Sequence, residues 1–427
     1  MSQEIIIFII MVGVFMLGCF LLKFPVSVSM MLASIMGAVF GLILEGQPLD
    51  LRQLVEGPFS MLDTILVIST AMIFMKVIEN SGALEALSVT IIKRFHKHPA
   101  ILLILIMLVV MFPGMITGSS TAAVLSAGSI MAPVLVLMGL DKVSAASIIA
   151  MGGLLGMIAP PVNLPAMIIG GGIDTPYVGF AVPLLILTLP LAVFSALYLG
   201  LKSAKAMKYD EVKEHLNFEI GEKYGFRLYI PIIVLVVIML LAKVAKVIYD
   251  PGMPLMFLIS AAIGFFTGKK INVLDTILSA LHDALPVMGI LMGVGMFIQI
   301  MTLTGVRGLI VVFCLSIPPA MLYLAAAISI PLFGAVSSFG AATVLGVPFA
   351  LAFLNHNTII TISALSLIAS LGDMMPPTAL AGMFAAQVMG LPKYTDVLKR
   401  CMLPMLVLLV YSVVIILCSN QLALILP

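Results

Sequence analysis

Two serine-rich turns and two proline pairs carry the polar chemistry of an otherwise oily 427-residue chain. Gly118-Ser119-Ser120-Thr121 sets three hydroxyls beside a glycine, and Ser337-Ser338-Phe339-Gly340 places two more hydroxyls in the second half. Gly156-Met157-Ile158-Ala159-Pro160-Pro161 and Gly372-Asp373-Met374-Met375-Pro376-Pro377 each put a proline pair inside a long apolar run. A proline ring clashes with the preceding helical turn and removes an N–H, so a helix breaks there. The carbonyls left free before such a break suit a cation, and the free N–H groups after it suit an anion. Serines at the turns add N-cap chemistry to the helix that follows. If the four turns meet, the chain holds two cation cradles and one central anion pocket. Asp373 is the only charge in residues 357–390. A carboxylate at membrane depth is a functional suspect, as a cation ligand or proton carrier, with helix capping the plainer alternative. The bland readings are a structural kink at each proline pair and small-residue helix packing at Gly-Ser-Ser. Asp174 reads as a solvated loop residue, and His356, between Asn355 and Asn357, as an interfacial one.

The elements that must position these residues are set by composition. Hydrophobic residues make up 62% of the chain and charged ones 9%, where a soluble domain keeps roughly 25% charged. Apolar stretches of about 20 residues recur at 5–22, 25–44, 178–200 and 228–242, the length of a bilayer span. In lipid these must be helices, because every backbone polar group has to be satisfied internally. Their continuity excludes the alternating pattern of a membrane barrel. A net charge of +2 gives no footprint for nucleic acid. Cys19, Cys314, Cys401 and Cys418 stand at no metal-like spacing and read as packing residues. Glu4 and the lack of a basic start argue against a cleaved signal peptide. With no Trp in the chain, Tyr177, Tyr198, Tyr229, Tyr249 and Tyr411 are the candidate interfacial anchors.

The polar stretch 201–227 divides the chain almost in half and reads as a cytoplasmic connector. On either side of it the same features come in the same order. Ser81-Gly82 pairs with Thr304-Gly305, Ser119 with Ser337, and Pro160 with Pro376, at offsets of 223, 218 and 216 read from the numbering. This is an internal repeat. Each half holds about five membrane crossings (4–22, 25–44, 60–79, 143–175 and 177–200, then their counterparts). An odd number forces the second half upside down. With the N-terminus outside, every one of the 21 Lys and Arg except Arg52, Lys243, Lys246 and Arg307 falls on the inner side. The cluster from Lys93 to His98 then faces anionic lipid as a topology determinant. Residues 99–139 enter and return; a re-entrant hairpin and two full spans fit the charge count equally. Residues 143–173 carry no charge and would run roughly 46 Å as a helix, too long for one ordinary span and too short for two. The expected architecture is an all-α polytopic membrane protein of two inverted repeats, 1–200 and 228–427. Its broken helices lie at 143–175 and 357–390, with 45–58 as a long outer loop.

The run from Pro113 to Val124, followed by Gly152-Gly153-Leu154-Leu155-Gly156-Met157-Ile158-Ala159-Pro160-Pro161, resembles the large membrane subunit of tripartite ATP-independent periplasmic (TRAP) transporters, in the ion-transporter superfamily. Through the doubled motifs the resemblance covers nearly the whole chain. It implies re-entrant hairpins at 99–139 and 317–354, with tips at Ser119-Ser120 and Ser337-Ser338. It also implies an elevator-type transporter that takes up a small organic anion, C4-dicarboxylate-like or a sugar acid, with Na+ as the coupling ion. By position, a first sodium site would use Gly118, Ser119, Ser120 and the carbonyl region of Ala159. A second would use Ser337, Ser338, Asp373 and Met375. The substrate would meet Ser120, Thr121, Asn163, Ser338 and Thr378. The implied partners are a small membrane subunit and a periplasmic solute-binding protein, and the implied place is a bacterial inner membrane with both termini periplasmic. Val162 stands where the family often has a small hydroxylated residue, and neither tip carries the Ser-Asn-Thr of related dicarboxylate symporters.

Two other functions compete. One is a stand-alone sodium- or proton-coupled organic-anion symporter or antiporter of the same superfamily. The other is an intramembrane aspartyl protease, faintly suggested by Leu371-Gly372-Asp373 and Pro377-Thr378-Ala379-Leu380. That enzyme needs two facing carboxylates. Asp63, Glu79, Asp174 and Asp283 lie in no matching motif, and the repeat would go unexplained. A transport protein, not an enzyme, is expected.

Overall fold

A computed structural model describes residues 3–46, 51–204, 219–244, 247 and 249–425. Every regular element among them is a helix, and 8 are long and apolar enough to cross a bilayer, or up to 9 if one bent pair forms a single span. The expected connector falls largely on 205–218, outside the described residues.

The first half runs α1 (Gln3–Phe20), α2 (Val26–Glu45), α3 (Leu51–Phe59), α4 (Leu62–Asn80) and α5 (Ala83–Phe95). It continues with α6 (Pro99–Thr117), α7 (Ser120–Leu137), α8 (Lys142–Ile158), α9 (Leu164–Gly172) and α10 (Ala181–Gly200). The second half runs α11 (Glu219–Tyr224), α12 (Ile230–Met239), α13 (Met253–Gly264), α14 (Val273–Leu303) and α15 (Val306–Ser316). It ends with α16 (Pro319–Gly334), α17 (Ser338–Ala352), α18 (Thr358–Ser370), α19 (Leu380–Val388), α20 (Thr395–Leu417) and α21 (Ser419–Ala423).

The expectation of an outer loop over 45–58 needs correcting. Leu51–Phe59 is helical, with an Arg52–Glu56 ion pair one turn apart, and it meets the next helix at 42°. Gly57 explains its docking: a Cβ there would lie 2.7 Å from the Met296 Cα, so only glycine lets α3 cross α14 this closely.

The helices form two packed groups. In one, α14 lies on α2, α3 and α4, α1 on α2, and α13 on α4 and α12. Lys76 and Asp283 tie α4 to α14 at 2.9 Å. In the other, α8 packs on α6, α10, α19 and α20, while α18 packs on α9, α16 and α20. Helices α5 and α15 link the groups.

Within the second group, Gly152 of α8 sits against Val110 and Met107, and Gly156 against Met111, so α6 runs parallel to α8. Gly153 sits against Ser120 and Val124, and Gly128 against Ile149, so α7 runs back the other way. The pair α6–α7 is therefore a hairpin whose turn lies at the level of the α8–α9 break. The two broken helices lie side by side, α8 on α19 and α9 on α18. That pairing makes these matched segments antiparallel.

Candidate functional site

Each hairpin tip is built the same way. Ser119 Oγ accepts the Ala122 N–H at 3.2 Å, and Ser337 Oγ accepts the Gly340 N–H at 3.2 Å, each capping the returning helix. A π-helical turn follows both, at Val124–Gly128 and Ala342–Gly346. Gly118 adopts φ +66°, a left-handed conformation that glycine adopts without strain, and a Cβ on it would lie 2.7 Å from Leu164. The first tip thus rests on the first break, where Met115 O also accepts the Val162 N–H at 3.1 Å. Glycines bring the hairpin arms onto the broken helices in both halves. A Cβ on Gly156 would lie 2.5 Å from Met111 O, and one on Gly372 would lie 2.4 Å from Gly334 O.

These contacts converge on Asp373, which is 5% exposed. Ser120 Oγ donates to its Oδ2, and Ser338 Oγ donates to Oδ1 at 2.5 Å. One carboxylate therefore holds both tips, one from each half of the chain. At the repeat offset of 216 the first-half counterpart of Asp373 is Met157, so only one of the two breaks carries charge. Hydrogen bonds to an ionised acceptor are short and about twice as strong as neutral ones.

The two breaks differ in more than charge. Asn163 is fully buried with every polar atom of its amide engaged. Its Oδ1 accepts the Ala166 N–H at 2.9 Å, and its Nδ2 donates to Ile158 O and to Ser366 Oγ, both at 2.8 Å. It caps α9 and stitches the first break to α18 of the second half. The start of α19 has no side-chain cap; Ala379 before it sits at φ +37°, a strained position for a residue with a Cβ. Pro160 and Val162 are buried, whereas Pro376, Pro377 and Leu380 are exposed. The second break is thus the open one, with uncapped N–H groups beside it.

The structure brings most of the sequence-derived site residues into two neighbouring sets. Gly118, Ser119 and Ala159 lie at the first break. Ser120, Ser337, Ser338, Asp373, Met375 and Thr378 lie at the second, where Thr378 Oγ1 donates to Ala335 O at 2.8 Å. Thr121 is half-buried beside Ser120. Asn163 is committed to structure, and Met375 O accepts the Ala379 N–H at 3.0 Å. By sequence position Ser120 belongs with the first break; its partner is 253 residues away in the second. A matched pair of caps that the sequence reading does not name starts both broken helices. Asp141 caps α8 through Ser144 N at 3.1 Å, and Asn357 caps α18 through Ile360 N at 3.1 Å. Their shared offset of 216 was the available signal.

Residues 7–422 match the family model described as DctM, the tripartite ATP-independent periplasmic transporter, DctM component. No curated protein sequence matches. Among solved structures, the YdaH transporter of Alcanivorax borkumensis superposes with a TM-score of 0.57 at 16% identity, covering 82% of this chain and 84% of that one. MtrF of Neisseria gonorrhoeae, described in a class of antimetabolite efflux pumps, gives 0.59 at 13% identity, covering 92% and 94%. At these identities the likeness is one of fold.

Proposed function

The chain belongs to the DctM component family of tripartite ATP-independent periplasmic transporters, and from that premise we propose sodium-coupled uptake of a small organic anion by an elevator motion. It is a transport protein of the inner membrane. The observation that carries the reading is the junction of both hairpin tips on Asp373. A small hard cation takes oxygen ligands, and this junction offers two hydroxyls and a carboxylate within one buried volume. A second cation would take the carbonyl-rich turn at Gly118, Ser119 and Ala159. The substrate carboxylate would lie at the uncapped start of α19 near Thr378, where helix N–H groups point at it. A cation on Asp373 would cancel the charge that otherwise repels that anion. This makes binding of ion and substrate mutually dependent.

The group containing both broken helices would move against the group built on α14, with 1–200 and 228–427 as inverted repeats. The basic end of the hairpin group would face the cytoplasm, leaving both termini periplasmic. A small membrane subunit would widen the fixed group, and a periplasmic binding protein would deliver the anion. Uptake by proteoliposomes, with and without a sodium gradient and across a panel of organic acids, tests the reading. Saturable uptake needing sodium, the small subunit and the liganded binding protein is the expected result. Robust transport by the chain alone would replace the tripartite reading with a stand-alone symporter. A second reading rests on the same residue: two hydroxyls around one buried carboxylate also suit a proton carrier. Uptake indifferent to replacement of sodium by choline, yet abolished when a pH gradient collapses, would select it.

A further inference from the structure

A groove outside the junction lies between the C-terminal half of α19 and the turn leading into α20. Its volume is about 370 Å3. Met383, Phe384, Leu391 and Pro392 form apolar walls, and Gln387 and Tyr394 supply the polar atoms. It opens at the end of the bundle where α6, α8 and α20 begin. Cys401 Sγ reaches Ser147 O at 3.7 Å, which sets the first turns of α20 level with those of α8. The rim is cationic. Lys393 lies between two groove residues, and Lys399 and Arg400 stand on the next turns, all exposed, with Lys142 exposed at the start of α8. On α6, α8 and α20 and in the turns that lead into them, the carboxylates are Asp141 and Asp396. Burial pushes the Asp141 carboxyl up, but the Ser144 hydroxyl and N–H, with the Arg400 cation, outweigh it and hold it below its usual range. The Arg400 cation thus lies near the Asp141 carboxylate. Among the described residues, no carboxylate comes within ion-pair distance of Lys393 or Lys399.

We propose that this groove is a binding site for an anionic phospholipid, with an acyl segment between α19 and the α20 turn and the phosphate on Lys393 and Lys399. The charge pattern chooses the occupant. An apolar slot with unpaired cations on its rim matches a molecule with a hydrocarbon tail and an anionic head. A small soluble anion would use the rim and leave the apolar walls wet. The site rests on the membrane placement of the chain and not on the transport reading. Since α19 packs on α8 and α7, a lipid lodged there would also brace the first hairpin against the second broken helix.

Native mass spectrometry of the full chain, released from neutral detergent, tests this with cardiolipin and with phosphatidylcholine at equal concentration. Cardiolipin should be retained and phosphatidylcholine not. Lys393→Gln with Lys399→Gln should weaken cardiolipin retention about thirtyfold, the loss expected for two interfacial cations. Gln387→Trp should abolish retention with every charge in place, because the indole fills the groove. Unfolding temperatures of both variants in phosphatidylcholine micelles check that they fold; if the double variant does not, the Trp variant decides. Equal retention of both lipids would overturn the proposal. So would retention unchanged in the folded variants, or displacement of cardiolipin by millimolar inorganic phosphate, which marks a small-anion site.

Discussion

Replacing Asp373 with asparagine separates a working carboxylate from a structural one. Asn has the same shape, and its amide can still bond both serine hydroxyls, since a hydroxyl donates or accepts. Two charge-assisted bonds become two neutral ones, a loss of about 1 kcal/mol each. Removing a 5%-exposed carboxylate also relieves a desolvation cost of several kcal/mol. The fold should therefore be at least as stable as wild type. Ion binding should suffer far more. A unit charge about 4 Å from a cation, at an effective dielectric near 20, contributes roughly 4 kcal/mol, or close to three orders of magnitude in affinity. The assay is sodium-dependent uptake in proteoliposomes, read as the half-saturating sodium concentration, beside an unfolding curve in detergent. Sodium half-saturation within threefold of wild type in a folded Asp373→Asn protein would refute a carboxylate that carries the ion. Ser120→Ala and Ser338→Ala extend the test. Each removes one bond to Asp373 and should weaken uptake more than Ser126→Ala, whose hydroxyl only bonds Ala122 O within its own helix. Equal, negligible effects from all three would reduce the tips to packing turns.

Gly372→Ala should lower stability by about 1–3 kcal/mol, because the new methyl meets backbone 2.4 Å away; Gly308→Ala, with nothing within 4 Å, is the matched control in a thermal unfolding assay. Asn163→Ala should cost about 1–3 kcal/mol through the lost cap and the orphaned Ile158 carbonyl, while the substrate half-saturation of the folded fraction stays unchanged. A rise in that constant without loss of stability would return Asn163 to the substrate. A cysteine at Ser119 should react with an impermeant thiol reagent from the basic side of the membrane in one transport state; rapid labelling from the opposite side alone would favour two full spans over a hairpin.

Much of the fold was legible in the linear chain because its determinants are local. Hydrophobic length marks a span, a proline pair breaks a helix, and a serine at a turn caps the returning helix; each depends on a few consecutive residues. The breaks fall where Pro160-Pro161 and Pro376-Pro377 predict them, with helices on either side at Lys142–Ile158, Leu164–Gly172, Thr358–Ser370 and Leu380–Val388. The short helix at Leu51–Phe59 is hidden in the linear chain because Gly57 docks it against Gly295 and Met296 of α14, a contact that no local pattern announces. Asn163 and Ser120 are candidate site residues by type, but their partners are hidden for the same reason. A side chain's chemistry is readable from its type, but its partner depends on which helices lie side by side. Antiparallel packing of the two broken helices sets Asn163 against Ser366 and carries Ser120 to Asp373 across 253 residues of sequence. Sequence determined that there would be two serine tips, two breaks and a single carboxylate. Tertiary structure decided that the carboxylate holds both tips and that only the second break stands open, because burial and pairing are properties of surfaces brought together from distant segments.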